Sequence, residues 1–352
     1  MNRRTLNSIL ILSLLLLPGC CTEHPKSAVT YTNPVYAADM PDPSVKKFGD
    51  DYYAFGTTDS ARLPDGRIFT LLRSRDLVHW ESLDGALTPP FTNAVYQYWA
   101  PEITVASGKY YLYYAMGDEK PEHFVIRIAT SDKPQGPYLD SGAVLKDCET
   151  NRFMIDPFPF RDDDGQWYLF NACDFPFDSP GYHAGTGIEV NRLLDMTTTG
   201  NDCHIVVRPA FEWTLYQAHR RMDVFHQTFA EWHTIEGPCV VKHDAQYYCF
   251  YSGANWRTPR YGVDYVVADH PLGPYTGAGD HARVLHSVPG EVFGPGGISI
   301  VTGPDGKTQF VVYHAWNRAR TKRQMCVDKL EWTPDGPRCV PTVTEQTVSM
   351  RY

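Results

Sequence analysis

Positive charge is scarce in this chain: 32 lysines and arginines stand against 41 aspartates and glutamates, a formal net charge of −9. Phosphate binding needs clustered Lys and Arg, so nucleic acid is excluded as a partner. A polyanionic substrate is as poorly served, and a neutral ligand fits best. Cysteine is sparse as well, nine in 352 residues. Without Cys20 and Cys21, seven remain, at 148, 173, 203, 239, 249, 326 and 339, with no CxxC pair among them. That pattern indicates neither a zinc site nor a disulfide-dependent fold, though an exported protein has room for one or two disulfides. Most of these cysteines read as core or strand residues. Helix signals are few, and no linker or low-complexity stretch breaks the chain.

The one long apolar run, Leu6 to Leu17, is too short to span a membrane as a helix in its own right. Arg3 and Arg4 precede it as a positive n-region, and Leu17-Pro18-Gly19-Cys20 follows. The segment reads as a signal peptide over residues 1–20. Its end resembles a bacterial lipoprotein cleavage box with Cys20 as the lipidated residue, although Pro18 is not a favoured letter there. The chain is therefore expected to be exported and to meet a membrane only through that anchor. A plain secretory signal is the alternative.

What the chain has in quantity is aromatic residues, 13% of the total, and they fall in a repeated phrase. A short apolar run, a polar turn and an aromatic-rich run recur five times. They begin at Asp42-Pro43, Ala100-Pro101, Asp156-Pro157, Glu236-Gly237-Pro238 and Gly294-Pro295. Each reads as a β-hairpin. The prolines recur every 56–58 residues except for one gap of 81, between Pro157 and Pro238. Further strand-length runs follow each hairpin, and about 57 residues with four strands is one propeller blade. The expected fold is all-β, a five-bladed β-propeller of four-stranded antiparallel blades around a central channel, occupying residues 30–352 as one domain. The long gap predicts a loop insertion near Arg208 to Glu231, and such insertions gather at one face and often serve function. Asp162-Asp163-Asp164-Gly165 suggests a calcium loop, but the distal Glu is missing, and the other repeats carry turns at the same offset.

The first strand of every blade lines the channel, so residues opening those strands converge on the axis. Asp42, Asp156 and Glu236 occupy that place in blades one, three and four. The following proline is expected to hold its predecessor extended. Asp-Pro on its own is a common turn opener. Three acids around one channel repel and raise one another's pKa, a cost that a purely structural role would have to offset. A separated pair of carboxyls, one protonated and one ionised, is what glycoside hydrolysis needs.

Asp42-Pro43-Ser44, Trp99-Ala100-Pro101-Glu102, Ile155-Asp156-Pro157-Phe158 and Glu236-Gly237-Pro238, in this order, resemble glycoside hydrolase family 43. Gly294-Pro295-Gly296 and Tyr313-His314-Ala315-Trp316 fit the same pattern. The resemblance implies an inverting mechanism with Asp42 as general base and Glu236 as general acid. Asp156 would raise the pKa of the acid and orient it. Inversion requires the two carboxyls to stand roughly 6.5–9.5 Å apart, with room for water. Trp99, His314 and Arg323 are candidate sugar-binding residues. Trp99 is equally readable as a core aromatic, and a lone histidine such as His314 is more often a satisfied structural residue. No cofactor is required. Some members hold a channel calcium through a histidine after Gly-Pro-Gly; Gly297 stands there in this chain, which argues against a histidine-ligated metal. The resemblance implies a neutral plant-type oligo- or polysaccharide substrate. Terminal α-L-arabinofuranosyl residues of arabinan or arabinoxylan are preferred over β-1,4-xylosides or internal arabinan bonds. A propeller that binds glycan without catalysis is the reading from another class, and it has no need of all three acids.

Overall fold

The computed structural model describes residues 28–58, 62–91, 96–117, 123–146 and 153–351. The expected signal segment, with Cys20, and Cys148 lie outside them. All five hairpins are present and antiparallel. Ser44–Phe48 pairs with Asp51–Gly56, Gln97–Ala106 with Lys109–Gly117 and Met154–Arg161 with Trp167–Phe175. Ile235–His243 pairs with Gln246–Gly253, and Phe293–Thr302 with Gln309–Trp316. A third strand follows in each, at Thr70–Ser74, Phe124–Ser131, Gly185–Asp195, Gly262–Ala268 and Arg323–Thr333. First strands of neighbouring blades touch in ring order, and the fifth returns to the first. This is the closed five-bladed propeller.

The blades are less uniform than four antiparallel strands apiece. The second gains Leu87–Thr88, which runs parallel to Tyr138–Lys146. The fourth has three ladder strands, and isolated antiparallel bridges, Val267 with Thr276 and Val263 with Leu285, continue the blade beyond them. In the third, the predicted loop insertion is in fact a β-hairpin, Leu215–Met222 with Gln227–His233, and it docks beside Gly185. Ring closure is reinforced where Ala28–Tyr31 pairs with Gln346–Ser349. Tyr31, Val45, Val312 and Val348 pack together there, between the first and last blades. The six described cysteines are free thiols, and all but Cys203 are buried. Asp162 to Gly165 forms a turn, with Gly165 N–H donating to Asp162 O at 3.0 Å, while the Asp162 carboxylate accepts from Tyr247 Oη.

The residue before each blade-start proline is not extended. Asp42, Ala100, Asp156, Gly237 and Gly294 have φ of 51°, 44°, 54°, 63° and 56°. In blades two to five the ladder slips register there, at Trp99/Glu102, Ile155/Phe158, Glu236/Cys239 and Phe293/Gly296. A bulge with a left-handed residue re-aims the neighbouring side chain and leaves the ladder. Aspartate tolerates that conformation better than most residues, and glycine adopts it freely. The pre-proline preference therefore yields to a bulge that tertiary packing imposes. It also explains the offset of Glu236: Gly237 takes the left-handed position, and the acid stands one residue back on a longer side chain.

Candidate active site

These bulges bring the three acids to one cavity of about 390 Å3 at the channel mouth. Asp42, Asp156, Glu236, Trp99 and Arg323 all line it. His314 does not. Its side chain is fully buried behind Asp42, and its Nδ1 accepts the Asp42 backbone N–H at 3.1 Å. The expectation that His314 touches sugar is corrected on that ground. Burial holds the imidazole neutral, with a pKa lowered to about 3.

Asp42 is set up to stay ionised. Burial alone would raise its pKa. Arg323 Nη1 at 3.2 Å from Oδ1 and the Thr57 hydroxyl donating to Oδ2 at 2.9 Å bring it below the usual carboxylate value. Arg323 is itself seated on the Trp256 ring, 4.7 Å from its centroid, and Trp256 stacks on Trp316. The other two acids are pushed the opposite way. Burial raises Glu236 to about 7, with Asp42 adding to the effect while the Tyr261 hydroxyl, donating at 2.7 Å, opposes it. Burial, then Glu236 and Asp42, push Asp156 well above the carboxylate range. Asp156 Oδ2 accepts the Gly237 N–H at 2.8 Å, which pins the peptide that carries Glu236. Two such carboxyls titrate as a pair.

Trp99 lines the cavity and stacks on Phe124 with ring centroids 4.0 Å apart, as a core aromatic would. The inserted hairpin supplies Tyr216, Arg220, Met222 and Trp232 to the wall. Thr57, Tyr261 and Trp256 are absent from the sequence-based candidates. Thr57 had a signal: it follows the second strand of the first hairpin, and antiparallel pairing returns that point to the blade start, where Thr57 N–H donates to Pro41 O. Tyr261 precedes a third strand, and nothing in the repeat marks it.

Below the acids the channel narrows to about 50 Å3. A Cβ added to Gly297 would meet His314 Nδ1 at 2.7 Å and Asp42 Oδ1 at 3.0 Å. The carboxylate of Glu102, lining the same channel, is paired with Lys46 at 2.5 Å. This donor set does not fit a histidine-ligated channel cation.

A propeller with three carboxyls of divided pKa at its axial cavity belongs among the glycosidases. The chain is a member of glycosyl hydrolases family 43, whose profile matches residues 31–337. It is 26% identical over 340 residues to the β-D-galactofuranosidase xynD of Aspergillus niger, covering 91% of this chain and 87% of that one. It is also 26% identical over 321 residues to extracellular endo-α-(1→5)-L-arabinanase 1 of Bacillus subtilis, covering 84% and 86%. A crystal structure of a thermostable family-43 glycoside hydrolase superposes with a TM-score of 0.78 at 28% identity, over 92% of this chain and 100% of that one.

Proposed function

We propose that this glycosidase is exported, acts from chain ends, and releases terminal α-L-arabinofuranosyl residues from plant cell-wall glycans with inversion. The observation that carries the mechanism is the division of the acids: Asp42 is held ionised while Glu236 keeps its proton to about pH 7. Asp42 takes a proton from water, and the water oxygen bonds to the anomeric carbon. The bond from that carbon to the glycosidic oxygen breaks as Glu236 delivers its proton to the departing oxygen. Asp156 acts through Glu236, by fixing the Gly237 peptide and by raising the pair's hold on a proton. No step passes through a channel cation.

Support for a furanoside comes from the two relatives, named for galactofuranose and for arabinan. Support for end-on attack comes from the inserted hairpin, which walls the cavity with Tyr216, Arg220 and Trp232. The galactofuranosidase similarity favours β-D-galactofuranosides as the second reading. Export rests on the Arg3 to Leu17 segment and on the extracellular relative, and the anchor at Cys20 is part of the same proposal. The test is a panel of aryl α-L-arabinofuranosides, β-D-galactofuranosides and β-D-xylosides with linear and branched arabinan. NMR follows the first-formed anomer. Arabinose released first with inverted configuration is the expected result. A retained first product would overturn the role of Asp42, and preferential turnover of the galactofuranoside would replace the substrate.

A further inference from the structure

His183, Glu231 and His233 meet at the root of the inserted hairpin, each offering one ligand atom, all within 4.8 Å of one another. The His233 side chain is fully buried. Its tautomer follows from its neighbour. Thr214 Oγ1 spends its single proton on the carbonyl of Phe211, 2.8 Å away. The 3.0 Å contact between Thr214 Oγ1 and His233 Nδ1 therefore has the ring as donor. The lone pair is left on Nε2, which is buried without a hydrogen-bond partner. Nε2 faces Glu231 Oε2 at 3.7 Å, too long for a hydrogen bond, and the His183 ring stacks on that of His233 at 4.1 Å. One ring nitrogen donating to an oxygen and the other bare is the arrangement of a metal-ligating histidine.

We propose that His183, Glu231 and His233 form a site for a divalent transition metal of the zinc class, with the exposed Glu212 nearby. Glu212 Oε1 lies 3.6 Å from His183 Nε2. Two imidazoles with a carboxylate select zinc-like ions over calcium, which takes oxygen ligands alone. In a tetrahedral zinc site the ligand atoms stand about 3.4 Å apart. His183, now stacked at 12° to His233, would have to turn its ring off the stack to bring its in-plane lone pair to the ion, and the exposure of His183 and Glu231 leaves room for that around the fixed His233. Entry is through a cavity of about 450 Å3 lined by both residues.

The site has a consequence for the sugar cavity. Successive strand residues face opposite sides, so Glu231 and His233 share one face while Trp232 between them points to the other, where it lines the cavity. His233 N–H also donates to Ala184 O at 3.0 Å, beside His183. A metal here would fasten the hairpin to its blade and fix Tyr216, Arg220 and Trp232 in the wall.

The experiment is zinc titration of the chelator-stripped full chain by calorimetry and thermal melting, with metal content measured after dialysis. The expected result is one zinc per chain and a melting temperature that rises with zinc but not with equal calcium. His183→Ala and Glu231→Gln, both at partly exposed positions, should each weaken zinc binding tenfold or more while melting like the parent in chelator. Absence of stoichiometric zinc binding would overturn the proposal. So would variants that bind as tightly as the parent, which would place the ion elsewhere, for example at a free cysteine.

Discussion

Two corners of one cavity share a backbone and differ in chemistry. Asp42 and Asp156 both take a left-handed conformation before a proline, at φ of 51° and 54°. Around Asp42 stand a guanidinium, a hydroxyl and a neutral imidazole. Around Asp156 stand a peptide N–H and two carboxyls, Glu236 and Asp42, with Arg323 pulling the other way only as the last of the effects. The same backbone conformation thus holds an ionised acid on one side and a proton-retaining pair on the other. What divides the roles is the surrounding charge rather than the acid itself. Tyr261 joins the corners, with its ring stacked on His314 and its hydroxyl on Glu236.

The largest effect should come from deleting one member of each corner. Asp42→Ala and Glu236→Ala are each expected to lower kcat/KM on natural arabinosides by about 1,000-fold or more. The comparison is sharpened by leaving group. An aryl leaving group of low pKa needs no proton, so the Glu236→Ala loss should shrink on it, while the Asp42→Ala loss should not. Equal losses on both substrates would remove the distinction between acid and base.

A smaller effect is expected from Arg323→Met, which keeps packing on Trp256 and removes the charge beside Asp42. Burial then acts unopposed, the Asp42 pKa rises, and the acidic limb of the kcat/KM profile moves to higher pH by roughly one unit or more. Arg323 also lowers Glu236, more weakly, so the alkaline limb should follow by less. The pH window would narrow, with activity at its optimum falling about tenfold or more. Limbs moving equally would mean that Arg323 does not tell the corners apart.

The repeat made much of this legible. Hairpin after hairpin follows the period of the prolines, and the letters before Pro43 and Pro157, with the one two before Pro238, marked the acids. The place of Arg323 before the last apolar run marks it only as a sugar-binding candidate; its pairing with Asp42 is not legible there. What escaped were contacts between blades. His314 and Arg323, in the fifth blade, reach Asp42 in the first, and a repeat describes each blade without saying what its neighbour presents. Tyr261 meets Glu236 inside the fourth blade, from a position before the third strand that the repeat does not mark. The bulge escaped for a related reason. The local preference of a pre-proline residue is extended, and only the register slip visible in the paired strands overrides it. The insertion was placed correctly by the 81-residue gap, yet its hairpin form depends on docking at Gly185, where an added Cβ would lie 2.1 Å from His233 O.

The smallest effect is on stability, and its sign separates the corners most cleanly. Glu236 titrates near 4.5 when unfolded and at about 7 when folded, so between those values the folded state binds more protons. Its contribution to stability is complete below pH 4.5, declines as pH rises towards 7 and stays lost above it. Glu236→Gln has no such decline. Its melting temperature relative to the parent should therefore be more favourable at pH 8 than at pH 5, by roughly 2 °C or more. Asp42 runs the other way. Its pKa is lowered on folding, so its contribution is present above the unfolded value and lost as pH falls. Asp42→Asn should thus cost more at pH 8 than at pH 3, because Arg323 is left without its partner. If the two variants showed the same trend with pH, the corners would be electrostatically alike, and the division of labour drawn from them would fail without any assay of activity.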